Sequence, residues 1–186
     1  MLEQIIDIVR RAGDIVLSAH DIQNVTREKH GPADLVTQYD EAVQVFLRQE
    51  LLKLLPEAEF FGEEGERPAL THPWIFVVDP IDGTTNLIHD YRMSAVSLGL
   101  YENGQMTFGV VYNPFTEETF HASLGKGAFL NGEPIHVSHR EALDTCIIVF
   151  GSAPYEKERA SMLFPIFQRV FMETADFRRS ASAALD

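Results

Sequence analysis

The sequence contains a single cysteine, Cys146, among its 186 residues. One cysteine cannot form an intramolecular disulfide, and this one begins an apolar run at residues 146–150. We therefore expect a buried, unreactive thiol in a reducing compartment, the cytoplasm. No apolar run approaches the ~20 residues that cross a bilayer, so no membrane association is expected. The first residues also lack the basic stretch and apolar core of a signal peptide.

Basic residues are also scarce. The chain has 15 Lys and Arg against 28 Asp and Glu, which gives a formal net charge of −13. Such a surface repels a phosphate backbone, so we expect no nucleic-acid partner. An anionic substrate would need a cation between it and the protein. The 45% of apolar and 23% of charged residues are typical of a globular domain with a core and argue against disorder.

Two segments have the periodicity of amphipathic helices. Apolar residues recur at helical spacing from Leu2 to Ala19, and a second helix is predicted to begin at Thr37 and to end at Pro56. Thr37 is a favourable N-cap, and Asp40 falls in the first turn, where the helix dipole favours negative charge. The polar residues 26–32 between the two helices predict a loop or a hairpin tip.

From residue 58 onward the pattern changes to that of short strands. Residues 74–78 form a continuous apolar run, typical of a strand buried on both faces, and Pro80 is predicted to end it. Asn-Gly pairs at 103–104 and 131–132 predict two hairpin turns. Further strands are predicted at 58–61, 94–101, 106–112 and, buried, at 146–150, and a helix at 162–172, which Pro165 interrupts or begins. This order of elements indicates an α+β class with layered packing.

The last nine residues resemble the start of a helix. Ser180 or Ser182 would cap it, good helix formers follow, and no Gly or Pro stop signal appears. We expect that the chain is cut inside a helix.

The most informative string is DPIDGTTN, at residues 79–86. It sets two carboxylates, Asp79 and Asp82, at the end of a predicted buried strand, and Gly83 allows the backbone to approach a ligand closely. Thr84 begins a predicted helix, whose first N–H groups attract phosphate. Two aspartates would repel that phosphate unless divalent cations lay between them. Oxygen ligands point to Mg²⁺, with Mn²⁺ or Ca²⁺ as substitutes.

A second acidic cluster, GEEGE at residues 62–66, follows another predicted strand. Considered alone, this cluster indicates a solvated loop, and an isolated Asp-Gly-Thr indicates an ordinary turn. Considered together, the two clusters supply the carboxylates that a two-metal site requires.

Four motifs together resemble the inositol monophosphatase family, in family order and across essentially the whole chain. They lie at residues 34–40, 62–64, 79–86 and 179–184. The resemblance implies a layered α-β-α-β-α sandwich of the inositol monophosphatase and fructose-1,6-bisphosphatase type, with the C-terminal portion missing. Residues 1–186 would form one domain. Its helix pair, antiparallel sheet and metal site would lie in 1–140, and a second α/β layer would start in 141–186.

The activity that the resemblance implies is hydrolysis of a phosphate monoester, inositol monophosphate, by metal-activated water. Two or three Mg²⁺ ions would serve, Mn²⁺ could replace them and Li⁺ would inhibit. The resemblance also implies a homodimer. Three alternatives stay open: a fructose-1,6-bisphosphatase, a nucleotide 3′-phosphatase, or a non-catalytic regulatory or binding protein on the same scaffold.

The metal ligands follow from the resemblance residue by residue. Glu63, Asp79 and the carbonyl of Ile81 would bind the first Mg²⁺. Asp79 would bridge to a second Mg²⁺ that Asp82 also holds.

The resemblance also implies roles in binding and proton transfer. The N–H groups of Gly83 and Thr84 would bind the phosphate, and Ala183 would contribute to substrate binding. Thr84, together with the metal ligand at position 63, would position the attacking water, and Asp40 would hydrogen-bond Thr84 in the proton relay. Two further residues would support the site, Glu64 behind the metal ligands and Lys29 near the metals.

The chain departs from the family pattern at two places. Ala181 stands where the family usually has glycine, in the loop that approaches the substrate. The family's late Trp-Asp motif, whose Asp completes the second metal site, does not occur in these 186 residues, in which Trp74 is the only tryptophan. We therefore expect an incomplete second metal site in this chain.

Overall fold

The computed structural model of the chain describes residues 1–22, 26–31, 34–63, 71–152, 154 and 156–186, without the side chains of 28–31 and 34. The helices are α1 (Leu2–Leu17), α2 (Gln38–Leu54), α3 (Thr84–Ile88) and α4 (Ala160–Glu173). The strands are β1 (Thr26–Gly31), β2 (Asp34–Thr37), β3 (Glu59–Gly62), β4 (Trp74–Asp82), β5 (Ala95–Glu102), β6 (Gln105–Asn113), β7 (Glu118–Ser123), β8 (Gly127–Leu130), β9 (Glu133–Ile135), β10 (Ile147–Val149) and β11 (Asp176–Arg178). The α+β class is confirmed.

The two N-terminal helices form where their periodicity predicts them. The side chain of Thr37 caps α2 by accepting a hydrogen bond from the backbone N–H of Tyr39. Asp40 accepts a hydrogen bond from the backbone of Thr37, which completes a capping box. Residues 26–31 form the first strand of an antiparallel hairpin with β2 rather than a loop. Residues 32 and 33, the rest of the predicted tip, lie outside the described residues.

Seven strands form the central sheet, in the order β3-β4-β5-β6-β7-β8-β9. The pair β3 and β4 is parallel, and each later neighbour is antiparallel. Both predicted hairpin turns are confirmed. Asn103 and Gly104 have φ values of 47° and 97°, and Asn131 and Gly132 have 50° and 88°. Positive φ at both central residues is what a two-residue hairpin turn needs.

The core lies between one face of this sheet and the helices α1 and α2. Alternation along the strands decides which side chains point into it. Phe76 and Val78 on β4 are buried in the cluster that α1 and α2 cover, whereas Val77 and Asp79, which alternate with them, are half-buried on the opposite face. Asp79 therefore points away from the helix-covered core.

Strand β4 does not end at Pro80, so that prediction is wrong. The strand continues to Asp82, and its pairing with β5 shifts between Asp79, which faces Ser97, and Asp82, which faces Ala95. One extra residue on β4 makes a bulge, where a residue without an N–H is tolerated. The parallel neighbour β3 has its last pair at Val78, so Pro80 meets no strand on that side.

A separate two-stranded parallel sheet, β10 with β11, carries helix α4. The rings of Phe150 and Phe167 lie 3.9 Å apart and join the helix to the sheet. Pro165 lies inside α4, so the helix continues through it, contrary to the prediction. The strand β10 is predicted as buried, yet Ile147 is 58% exposed, because no described element packs over its outer side.

Cys146 is half-buried rather than buried, and its thiol donates to the carbonyl of Ala142. At the end of the chain, the N–H groups of Leu185 and Asp186 donate to the carbonyl of Ser182, which makes a single turn. Among the helices that the structure describes, none is both long and apolar enough to cross a membrane. The division of the chain near residue 140 stays a prediction.

Candidate active site

The parallel pairing of β3 and β4 brings two acidic residues together. Gly62 pairs with Val78, so Glu63 and Asp79 follow side by side at the carboxyl edge of the sheet. Both border a cavity of about 850 Å³ on the sheet face that α1 and α2 leave uncovered. The predicted ligands Glu63 and Asp79 therefore lie close together, although 15 residues separate them in the chain.

Asp79 lies in a strongly perturbed environment. Burial, followed by the charges of Glu63 and Asp82, raises its pKa to about 8, and a hydrogen bond with Glu63 and the charge of Asp40 add to the effect. Its Oδ1 atom is buried and has no hydrogen-bond partner among the described residues. A buried carboxylate oxygen without a partner costs free energy, so its surroundings favour either a proton or a cation.

Asp82, at the end of β4, holds the C-terminal segment of the chain. Its Oδ2 accepts a hydrogen bond from the hydroxyl of Ser182 and another from the N–H of Ala184 at 2.8 Å. Its Oδ1 accepts one bond, from the N–H of Ala183 at 3.2 Å, and keeps a lone pair. Asp82 therefore joins the end of β4 to residues one hundred positions later, and one oxygen stays able to bind a cation.

Asp40 lies at the start of α2, with no exposed surface, and faces the same edge. Its Oδ2 accepts bonds from the backbone N–H of Thr37 at 2.8 Å and from the Thr37 hydroxyl at 2.7 Å. Its Oδ1 accepts the hydroxyl of Thr84 at 2.8 Å. The hydrogen bond between Asp40 and Thr84 that the resemblance implies is present.

Gly83 forms the turn between β4 and α3. Its φ of 85° is strained for any other residue, and a Cβ atom there would lie 2.8 Å from the carbonyl oxygen of Met93. The hydroxyl of Ser94 donates to the Gly83 carbonyl at 2.9 Å and fixes the turn. Glycine is thus required for the close approach of the backbone to Met93, and its predicted approach to a ligand stays a prediction.

Asn86 ties this turn to the C-terminal segment. Its buried side-chain amide donates to the carbonyls of Met93 at 2.6 Å and Ser180 at 2.8 Å. The next residue in that segment, Ala181, has a φ of 64°, in the left-handed region where glycine is unstrained. This geometry explains physically why a glycine suits position 181.

The donor set fits a divalent cation. Carboxylate oxygens of Glu63, Asp79 and Asp82 and the backbone carbonyl of Ile81 are hard ligands of the kind that Mg²⁺ prefers. The unpartnered Oδ1 of Asp79 is the observation that favours a proton or a cation at this place. Within the described ranges, however, no three His, Cys, Asp or Glu side chains are already grouped around one point.

Two predicted site residues cannot be placed. The side chain of Lys29 and all of Glu64 lie outside the described residues. The N–H of Ala183 donates to Asp82, and its part in substrate binding stays a prediction.

Three polar side chains hold the site and were not predicted from the sequence: Thr37 as a partner of Asp40, Ser182 as a partner of Asp82, and Asn86. The spacing of Thr37 and Asp40 is that of a capping box, which could have revealed the first of these pairs. No local signal reveals that Ser182 contacts Asp82 or that Asn86 contacts Ser180, because these partners lie roughly a hundred residues away.

Comparisons with known proteins show the family to which the chain belongs. The model of the inositol monophosphatase family matches residues 1–186. An inositol-1-monophosphatase of Rhizobium meliloti is 36% identical over 190 residues, covering 100% of this chain and 71% of the relative. An inositol-1-monophosphatase of Synechocystis is 36% identical over 186 residues, covering 100% of this chain and 65% of the relative.

A solved structure gives the same result for the fold. The crystal structure of the extragenic suppressor protein suhB from Bartonella henselae matches with a TM-score of 0.90 at 33% identity, covering 100% of this chain and 72% of that one. The chain thus spans between 65% and 72% of the length of these three relatives.

Proposed function

Because the chain belongs to the inositol monophosphatase family, we propose that it hydrolyses a phosphate monoester and that inositol monophosphate is its substrate. Relatives named inositol-1-monophosphatase support this substrate. The observation that carries the proposal is the convergence of Asp40, Glu63 and Asp82 on Asp79, whose buried Oδ1 has no partner in the described part of the chain.

The proposed cofactor is Mg²⁺. Glu63, Asp79 and the carbonyl of Ile81 would hold one ion, and Asp79 and Asp82 would hold a second. When bound, the ions activate the attacking water as Lewis acids and stabilise the charge on the departing oxygen. Mn²⁺ is expected to substitute and Li⁺ to inhibit.

The protein's own groups would bind the phosphate and move a proton. Gly83 lets its N–H and that of Thr84 approach the phosphate, and Ala183 would contact the alcohol part of the substrate. The Thr84 hydroxyl already donates to Asp40 Oδ1, so its oxygen can accept a proton from water while its own proton passes to Asp40. This relay lets residues 84 and 40 act together as a general base.

A non-catalytic binding protein is the second candidate. Both carboxylate oxygens of Asp82 already accept hydrogen bonds from residues 182–184, which reduces its capacity to hold a metal. The solved relative from Bartonella henselae is named a suppressor protein rather than a phosphatase. Metal binding without turnover would favour this candidate.

The proposal extends to oligomeric state and location. The resemblance supports a homodimer, and exposed apolar side chains on α4, such as Phe164 and Met172, offer surface for a partner chain. The single cysteine supports a reducing compartment, so we propose a cytoplasmic enzyme.

Phosphate release from a panel of substrates tests the proposal. We expect Mg²⁺-dependent release from inositol monophosphate, faster than from fructose 1,6-bisphosphate or a nucleoside 3′,5′-bisphosphate. A chelator should abolish it, and Li⁺ should reduce it. If phosphate were released faster from one of the other two compounds, that compound would replace inositol monophosphate as the proposed substrate. No release from any of the three would contradict the enzyme assignment.

A pair of variants on β3 provides the matched control. Glu63→Gln removes a proposed metal ligand, whereas Glu59→Gln makes the same change at the exposed first residue of the strand. We expect Glu63→Gln to lower kcat by at least about 100-fold and Glu59→Gln to leave it unchanged. Equal effects would remove Glu63 from the proposed site.

A further inference from the structure

The capping box of α2 contains an additional hydrogen bond. In this box the Thr37 hydroxyl accepts the N–H of Tyr39 at 3.1 Å and donates its single proton to Asp40 Oδ2 at 2.7 Å. The Thr37 backbone N–H donates to the same oxygen at 2.8 Å. Both Thr37 and Asp40 have no exposed surface. Thr37 thus gives both of its donors to one carboxylate oxygen, away from water.

Two donors on Oδ2 fix the plane of the Asp40 carboxylate. A carboxylate held on one oxygen by two short bonds cannot rotate without breaking at least one of them, and an unmade buried bond to a charged group is costly. The other oxygen, Oδ1, is thereby aimed at Thr84, whose hydroxyl lies 2.8 Å away. Thr37 therefore supplies two of the hydrogen bonds that set the orientation of Asp40.

The hydroxyl of Thr84 has a choice of acceptor. Besides Asp40 Oδ1 at 2.8 Å, the carbonyl oxygen of Ile81 lies 3.0 Å away. The hydroxyl has one proton, so a short and linear hydrogen bond can form to only one of them at a time. The charged and nearer acceptor, Asp40, is favoured as long as its Oδ1 stays in place. If Asp40 rotated, the proton would turn to Ile81.

We propose that Thr37 is a positioning residue for the reaction: by holding Asp40, it directs the proton of Thr84 to a carboxylate rather than to the carbonyl of Ile81. The inference rests on the proposed function. Thr37 would then both stabilise α2 and keep the Thr84 hydroxyl directed at Asp40. If that hydroxyl donated to the carbonyl of Ile81 instead, its proton could not pass to Asp40.

Two substitutions at position 37 distinguish the effect of the hydroxyl group from the effect of side-chain size. Thr37→Val keeps the size and loses the donor, whereas Thr37→Ser keeps the donor. With inositol monophosphate at saturating Mg²⁺, we expect Thr37→Val to lower kcat about tenfold or more, with KM within about twofold. Thr37→Ser should restore nearly all of the activity. An unchanged kcat in Thr37→Val, or an equal loss in Thr37→Ser, would overturn the inference.

A double-mutant cycle tests whether Thr37 acts through Asp40. In an Asp40→Asn background, Thr37→Val should cause little further loss of kcat, because the group that it positions has been replaced. The shift in unfolding midpoint that Thr37→Val causes should also shrink in that background, and this readout does not depend on activity. Full additivity in both measurements would contradict the inference.

A stability control distinguishes positioning from general destabilisation. Ile5→Val removes one buried methyl group from α1, remote from the site, at a cost of about 1 kcal/mol. It should leave kcat unchanged below the unfolding transition, and a loss equal to that of Thr37→Val would overturn the inference. If the unsubstituted chain hydrolyses none of the substrates, the proposed function fails and the inference with it. An active chain that tolerates Thr37→Val rejects the inference alone.

Discussion

The carboxyl groups of Asp40 and Asp79 lie in two regions of the site that differ in the hydrogen bonds they offer. At the start of α2, Asp40 accepts three short hydrogen bonds, two from Thr37 and one from Thr84. Near the end of β4, Asp79 is half-buried, yet its buried Oδ1 has no partner among the described residues and its pKa is raised to about 8. One carboxylate is stabilised as an anion by the fold, and the other is not.

This difference indicates what each group is for. A carboxylate with all its donors in place needs no ion and can act as a fixed acceptor, as Asp40 does for Thr84. A carboxyl group packed against Glu63 and Asp82 without donors is destabilised as an anion until a cation arrives. The same site therefore holds a structural acceptor and a cation ligand side by side.

The largest effect is expected from Asp79→Asn. The amide keeps the shape but removes the negative charge that would hold Mg²⁺, so kcat should fall by about 1,000-fold or more. Phosphate release at saturating Mg²⁺ measures the loss. Turnover close to that of the unsubstituted chain would remove Asp79 from the metal site.

The next effect concerns stability against pH in the presence of a chelator. The pKa of Asp79 is about 8 in the folded chain and about 4 when unfolded. Below about pH 4 both forms are protonated, so the folded chain is not penalised there. As the pH rises towards about 8, only the unfolded form ionises, and up to about 5 kcal/mol of stability should be lost.

Asp79→Asn should abolish this loss, because an amide does not titrate. Urea unfolding of both chains between pH 4 and 9 therefore measures the contribution of Asp79 as their difference, which cancels other titrating groups. Parallel stability curves for the two proteins would show that Asp79 is not destabilised as an anion.

A smaller effect with the opposite sign is expected from Asp40→Asn. The amide offers one acceptor atom and one NH₂ group where the fold supplies donors on both sides, so a buried bond is lost and a donor faces a donor. We expect a destabilisation of about 2 kcal/mol, measured by urea unfolding in a chelator at pH 8. A gain in stability, as predicted for Asp79→Asn under these conditions, would erase the distinction between the two regions.

The smallest effect concerns the segment that Asp82 holds. Ala181 has a φ of 64°, so Ala181→Gly should relieve backbone strain and stabilise the chain by about 0.5–1 kcal/mol. Thermal unfolding would show a rise of a few degrees. A fall in the unfolding temperature would mean that the flexibility that glycine adds to the unfolded chain outweighs the strain.

Features with local causes could be predicted from the sequence. Thr37 begins α2 because a hydroxyl, a following acidic turn and an apolar period all agree at one place. The hairpins at 103–104 and 131–132 form because Asn-Gly accepts positive φ twice. The meeting of Asp79 and Glu63 was implied by the family resemblance, whereas the parallel pairing of β3 and β4 that brings them together was not predicted.

Features with distant causes could not be predicted. Pro80 stays in β4 because the neighbouring strands allow a bulge there, which depends on their register. The exposure of Ile147 depends on which elements pack over β10. The bond between Ser182 and Asp82 joins residues one hundred positions apart, and no local pattern encodes it.

Calorimetric titration of Mg²⁺ into the chain at pH 7 tests the central claim most directly. Because Asp79, with its pKa of about 8, is largely protonated at that pH, an ion that binds there must displace a proton. We predict saturable binding whose heat changes between buffers of different ionisation enthalpy, as release of close to one proton per chain requires. Absence of saturable heat, or the same proton release from Asp79→Asn, would contradict the account.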